Sequence, residues 1–295
     1  MTKVRPFSVT LWLAATLAFG LAFTLQAAEM EVYQHVDGTK YFALEVSPEE
    51  LPSAEAPRNV VVLVNTSAAQ TGEYRIRSMD VLKNFLAKLP GDVRVNVLAV
   101  DLKAAPMTQG FVAAGSAELE AGLKKLEGRV PLGACDLEAG LKAVVEAVGN
   151  TADGASLVYI GDGLSRANLL PLPKIAELAD TLASKKISVN SFAIGPRLDL
   201  PLLASLAELT GGSVFVDEEV PADALAGQIA SATQAGVVWP QSAQWNDAVA
   251  EVYPQRLPPL RTDRENIIVG KLSAAGPVEL TAVTADGKNI AIKLD

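Results

Sequence analysis

The stretch Val60-Val61-Val62-Leu63-Val64-Asn65-Thr66-Ser67-Ala68-Ala69 decides the fold. Five apolar β-formers run without interruption into a polar turn, and a long helical pattern begins within a few residues. A strand this apolar must be covered on both faces, as the parallel strands of α/β proteins are. Ligands of such sheets sit at the carboxyl ends of the strands, which directs attention to Asn65 through Ala69.

Outward from that strand, strands and helices alternate from Arg58 to about Gly236. The fold class that follows is α/β, a doubly wound and mostly parallel sheet flanked by helices. A helix is predicted over 71–89, with Ile76, Met79, Leu82, Phe85, Leu86 and Leu89 on one stripe and Pro90-Gly91 ending it. A strand over 93–100 comes next. A short strand within 107–113 is expected as an antiparallel edge, because no helix separates it from the strand before. Ser116 caps a helix bearing Leu119, Leu123 and Leu126, closed by Gly128. Asp136 is placed to cap another, with Leu137, Leu141, Val144, Val145 and Val148 at helical spacing. A strand over 156–160 then runs into Gly161-Asp162-Gly163. Helix 173–186, strand 187–194, helix 199–210, strand 213–216 and helix 222–235 complete the domain, assigned to residues 58–236.

On either side the pattern is different. Residues 29–57 read as a β-hairpin and linker: strands 31–36 and 39–46 flank Asp37-Gly38, a two-residue turn that sets His35 opposite Lys40. Beyond Gly236 the apolar period becomes two, giving strands over 265–272, 278–284 and 288–294, with a second tight turn at Asp286-Gly287. Prolines extend the chain over 253–261. Neither flank has enough strands to bury a core alone, so 29–57 and 237–295 are expected to form one β-rich module around the inserted domain.

The first 28 residues carry Lys3 and Arg5, an uncharged apolar run from Phe7 to Leu25 and small residues at Ala27 and Ala28, the form of an export signal. Export to the periplasm, cell envelope or medium is expected, with membrane anchoring only if the signal stays uncleaved. The formal net charge of -9 disfavours nucleic acid as a partner. The single cysteine, Cys135, leaves no internal disulfide, so stability must come from packing.

At this point the chain resembles the von Willebrand factor type A domain family over about Arg58 to Asp217. Asn65-Thr66-Ser67-Ala68-Ala69 is similar to an Asp-x-Ser-x-Ser turn, and Gly133-Ala134-Cys135-Asp136-Leu137 to a Gly-x-Thr-Asp-Leu loop. Asp162-Gly163 follows a buried strand, and the late strand 189–194 ends in glycine, as the family's often does. The resemblance implies a Rossmann-like fold and a metal-ion-dependent adhesion site, where Mg²⁺ is held by hydroxyls and aspartates and completed by a partner's acidic group. By position that site would be Asn65, Ser67, Ala69, Cys135 and Asp162, of which only Ser67 and Asp162 keep the family's residue. Asn65 removes a charge, Ala69 a hydroxyl ligand, and Cys135 offers a soft thiol where a hard oxygen is wanted. A degenerate site follows, with no cofactor expected and Mg²⁺ weak if it binds.

Other chemistry fits less well. Gly161-Asp162-Gly163 lacks the third glycine of a dinucleotide loop, Arg166 standing in its place, and Asp162 would repel a pyrophosphate. His35 lies outside the α/β domain, and Cys135 has no histidine base near it in sequence. Asp217-Glu218-Glu219 reads as a solvated acidic loop. The expected function is a non-enzymatic, exported module for protein interaction or scaffolding. The alternative is a metal-dependent ligand binder or metal-assisted enzyme using Ser67 and Asp162.

Overall fold

A computed structural model describes residues 29–151, 153–217, 220–274 and 276–294. The export signal expected over 1–28 lies outside the described residues, as do Glu218 and Glu219 of the acidic loop. The chain begins with β1 (Glu29–Gln34) and β2 (Lys40–Val46), then a single 3-10 turn at Pro48–Glu50. The α/β part comprises β3 (Asn59–Asn65), α1 (Glu73–Ala87), β4 (Arg94–Val100), β5 (Ala104–Pro106), β6 (Val112–Ala113), α2 (Ala117–Glu127), α3 (Leu137–Val148), β7 (Ala155–Gly161), α4 (Leu172–Ser184), β8 (Ile187–Ala193), α5 (Leu200–Thr210), β9 (Val214–Val216) and α6 (Ala222–Thr233). There follow β10 (Val237–Val238), β11 (Pro240–Trp245), β12 (Val249–Tyr253), β13 (Leu260–Arg261), β14 (Asn266–Leu272), β15 (Val278–Thr284) and β16 (Asn289–Leu294).

β3 lies in the middle of the main sheet, whose order is β5-β4-β3-β7-β8-β9, with β6 also paired to β4. The pairs among β4, β3, β7, β8 and β9 are parallel, and β5 and β6 run antiparallel to β4. The unbroken apolar run of β3 is explained by its two covers. Val60, Val62 and Val64 pack with Met79, Leu82 and Phe85 of α1, Leu119 of α2 and Ile229 of α6. Val61 and Leu63 face the other way, onto Leu137 and Leu141 of α3, Leu178 of α4 and Leu203 of α5.

The flanking strands pair across the domain between them. β2 pairs with β14, so residues before the α/β part share a four-stranded antiparallel sheet, β1-β2-β14-β12, with residues after it. A three-stranded sheet, β11-β15-β16, contributes to the same core, where Phe42, Leu44 and Ile268 meet Leu280, Ile290 and Ile292. Leu51 and Ala54 of the linker also pack there. Arg261 in β13 joins the two parts while being 1 % exposed. Its guanidinium donates to both Asp263 oxygens at 2.7 Å, to the Gly211 carbonyl at 3.3 Å and to the Ala232 carbonyl at 3.0 Å. The last two are carbonyls at the ends of α5 and α6, which have no partner within their helices.

Several local expectations are corrected. The first hairpin pairs Gln34 with Lys40 and is closed by the His35 N–H donating to the Thr39 carbonyl, so its loop is the three residues 36–38 and His35 faces Thr39 rather than Lys40. Asp37 accepts the Thr39 N–H at 2.9 Å and Gly38 takes φ +86°, which together favour the longer turn. Ile76 is exposed, because at 3.6 residues per turn it falls away from the arc of Met79, Leu82, Phe85 and Leu86. The edge strand expected within 107–113 is two short strands, β5 and β6, around a loop in which the Thr108 hydroxyl accepts the Val97 N–H. β11 and β12 are additional to the strands read from the sequence. Both are edge strands, where one-sided pairing relaxes the need for apolar alternation and admits Pro240 at the first position.

Candidate functional site

The carboxyl ends of β3 and β7 bring Asn65 and Asp162 together. The Asn65 side-chain N–H donates to Asp162 Oδ1 at 3.0 Å, while Asn65 Oδ1 accepts the Ser67 N–H at 2.9 Å. Asp162 Oδ1 also accepts the Leu164 N–H at 3.2 Å. Below them sits Tyr159, fully buried, with its hydroxyl accepting the Gly163 N–H at 3.3 Å. Gly161 makes this stacking possible, since a Cβ there would lie 2.6 Å from both Asn65 Cβ and the Tyr159 hydroxyl oxygen. Cys135 is 2 % exposed against the same group.

Main-chain bonds close the loops over this polar cluster. Ala68 N–H donates to the Gly133 carbonyl and Leu132 N–H to the Thr66 carbonyl, joining the first turn to the cysteine loop. Ala167 N–H donates to the Cys135 carbonyl, and Asp199 N–H to the Asp162 carbonyl, which draws in the loops after β7 and β8. Beside the turn, Arg129 Nε donates to the Thr66 hydroxyl at 3.0 Å and its Nη2 pairs with Asp101. Gln70 donates to the Ile194 carbonyl at 3.0 Å, while its Oε1 is buried with no partner.

Burial dominates the electrostatics. It pushes the Cys135 thiol up to about 12, with the carboxylates of Asp162, Asp136 and Asp101 adding to the effect. Burial also raises Asp162, opposed by the Leu164 N–H, Arg166 and Asn65. Tyr159 is raised by burial, then by Cys135 and Asp162. A neutral thiol, a neutral phenol and an amide therefore surround one carboxylate.

Of the five residues expected at this place, Asn65 and Asp162 bond directly, Ser67 binds Asn65 through its main chain, and Cys135 lies against Tyr159 and within electrostatic reach of Asp162. Ala69 belongs to the same turn and is half-buried. The sequence reading missed Tyr159, Gln70 and the Arg129–Asp101 pair. Tyr159 carried a signal, because a tyrosine in an otherwise aliphatic buried strand needs a partner for its hydroxyl. Among the described residues no group of three or more histidine, cysteine, aspartate or glutamate side chains is placed to hold a metal ion.

Around the closed cluster the same loops expose aliphatic side chains. Leu102 follows β4, Val130 and Leu132 precede Cys135, Leu169 and Leu172 follow Asp162, and Leu200 opens α5. Leu169 is 82 % exposed and Leu132 64 %, on loops that the hydrogen bonds above hold together.

A family model described as von Willebrand factor type A domain matches residues 58–215. No curated protein matches the chain significantly in sequence. Among solved structures, a von Willebrand factor type A protein from Catenulispora acidiphila is similar at TM-score 0.61 and 14% identity, covering 90% of this chain and 73% of that one. The ArnB paralog VWA2 from Sulfolobus acidocaldarius is similar at TM-score 0.55 and 11% identity, covering 91% and 74%. The human COPII-coat protein Sec24c is similar at TM-score 0.58 and 13% identity, covering 85% of this chain and 46% of that one. At these identities the likeness concerns the fold.

Proposed function

Since the chain belongs to the von Willebrand factor type A domain family, we propose from that premise that it is an exported, non-enzymatic module that binds a protein partner without a metal ion. The observation that carries this reading is the aliphatic rim, Leu102, Val130, Leu132, Leu169, Leu172 and Leu200, around a polar cluster in which Asn65 bonds both Asp162 and the Ser67 N–H. Exposed apolar side chains gathered on one end of a molecule mark an interaction surface, and each leucine covered there contributes about 1.5–3 kcal/mol.

The donor set does not fit a hard, octahedral cation. Asn65 turns its N–H, not its oxygen, toward Asp162, and its oxygen is engaged by Ser67. Ala69 has no ligand atom, and a thiol titrating at about 12 stays protonated, leaving one carboxylate and one hydroxyl. This favours binding through shape and apolar contact over a metal-bridged carboxylate.

Calorimetric titration with Mg²⁺ and Mn²⁺ is expected to give no saturable heat. Millimolar or tighter binding, lost in Asp162→Ala, would overturn the metal-free reading. A photo-crosslinking residue at Leu132, introduced in the native host, should yield a protein adduct that persists in EDTA. An adduct abolished by EDTA, or no adduct, refutes it.

A further inference from the structure

The β-rich part is unfinished at β1. Val32 points to the same side of the sheet as its register partner Phe42, which is 2 % exposed within the shared core, yet Val32 itself is 49 % exposed. β1 is the end strand of its four-stranded sheet, and the sheet that shares its core has three strands. An inward-facing valine has therefore been left without full cover.

On the opposite face the defect is electrostatic. The register sets Glu29 directly against Glu45, with Glu31 further along β1 and Glu265 just before β14. Like charges directly opposite each other in a sheet are destabilising. The Glu45 carboxyl is raised, first by loss of solvent around it and then by Glu265, Glu29 and Glu31. Among the described residues no lysine or arginine forms an ion pair with these four.

The backbone of the edge is open as well. His35 N–H donates to the Thr39 carbonyl across the hairpin. In an antiparallel ladder this bonding alternates, so residues 33 and 31 face β2, while the N–H and C=O of Met30, Val32 and Gln34 point away from it.

We propose that β1 accepts an extended segment of a partner protein as an added strand, with basic residues alternating with aliphatic ones. Its aliphatic side chains lie beside Met30 and Val32 and extend the core over the exposed valine. Its lysines or arginines lie on the other face, beside Glu29 and Glu31, with Glu45 one strand further in. A second copy of this chain is the poorer occupant, because β1 against β1 brings two rows of carboxylates together. The site is on different strands from the aliphatic rim, so the two surfaces stand or fall separately.

The test uses the full chain and a labelled nine-residue peptide alternating lysine and valine. Fluorescence anisotropy is expected to show saturable binding, and a glutamate–valine peptide should not bind. Amide exchange at Val32 and Gln34 should slow by about tenfold or more when the lysine peptide is bound. Glu29→Gln together with Glu31→Gln should weaken binding by roughly fivefold, the scale of two exposed ion pairs. Val32→Pro removes an outward N–H without deleting a β1–β2 hydrogen bond and should abolish binding. Binding that is indifferent to peptide charge, or that leaves β1 exchange unchanged, would overturn the proposal, as would dimerisation that competes with the peptide. Should Val32→Pro unfold the protein, the glutamine variant decides, since it touches no backbone bond. Leu132→Ser should leave peptide binding unchanged whichever way the aliphatic rim is resolved.

Discussion

Rebuilding a cation site tests both the alignment of the upper loops and the proposal that they bind no metal. Asn65→Asp alone replaces an N–H donor by a carboxylate at the 3.0 Å contact with Asp162. Two full charges at that separation repel by about 5 kcal/mol at an effective dielectric near 20, and a proton shared between them relieves part of it. The single variant should therefore lose stability as pH rises from 5 to 8, because the raised carboxyl pair favours the folded state only while protonated. Adding Ala69→Ser and Cys135→Thr supplies two hydroxyls, and Mg²⁺ then has ligands and a reason to separate the carboxylates. If the triple variant binds with a Kd near 0.1 mM, 10 mM Mg²⁺ should stabilise it by about 2.7 kcal/mol. That corresponds to a rise in Tm of roughly 5–10 °C for a domain of this size. Differential scanning calorimetry in EDTA and in Mg²⁺ measures it directly, with the unaltered chain expected to shift by less than a degree or so. A folded triple variant whose Tm ignores Mg²⁺ would refute the correspondence of Asn65, Ala69 and Cys135 with ligand positions.

Two further perturbations probe the supports of the fold. Arg261→Met should cost about 3–5 kcal/mol in urea unfolding, since it leaves the Gly211 carbonyl and the Asp263 carboxylate without their side-chain donor and removes one of the bonds to the Ala232 carbonyl. Burial raises Asp263, yet Arg261 bonding holds it below the ordinary value. Its contribution is thus present above the unfolded pKa and lost as pH falls through the folded one, an acid-side loss that Arg261→Met should erase. A cost under about 1 kcal/mol would show that the arginine does not join the two parts. Cys135, raised from 9.0 to about 12 and 2 % exposed, should react with iodoacetamide at pH 8 on the order of a thousandfold more slowly in the folded chain than in urea. Comparable rates would place the thiol outside the closed cluster.

The fold was legible wherever one physical requirement dominated. Val60 to Val64 could only be a strand covered twice, and Ser116 and Asp136 cap α2 and α3 through their side chains as their chemistry demands. What escaped the sequence reading depends on partners distant along the chain. Arg261 follows a proline-rich stretch and looks like a solvated cation, and its burial makes sense only with Gly211 and Ala232 beside it. β11 and β12 escaped because edge strands need not alternate.

The candidate site shows the same division. The end of β3 pointed to Asn65 through Ala69 and the resemblance to five positions, of which the structure bonds Asn65 to Asp162 and to the Ser67 N–H, but the arrangement of these groups was not readable. That arrangement is set by Tyr159, whose hydroxyl and Asn65 both crowd the space above Gly161, and by an amide whose N–H now faces the carboxylate. With the Asn65 amide bonded to both Asp162 and the Ser67 N–H, the proposed metal-free reading follows, and the exposed aliphatic side chains on these loops are leucines and a valine. The two surfaces argued for above thus share one physical origin. Each is a place where the fold leaves apolar side chains uncovered, the rim around Asp162 and Val32 at the edge of β1, and at β1 the unpaired backbone adds a second reason for a partner.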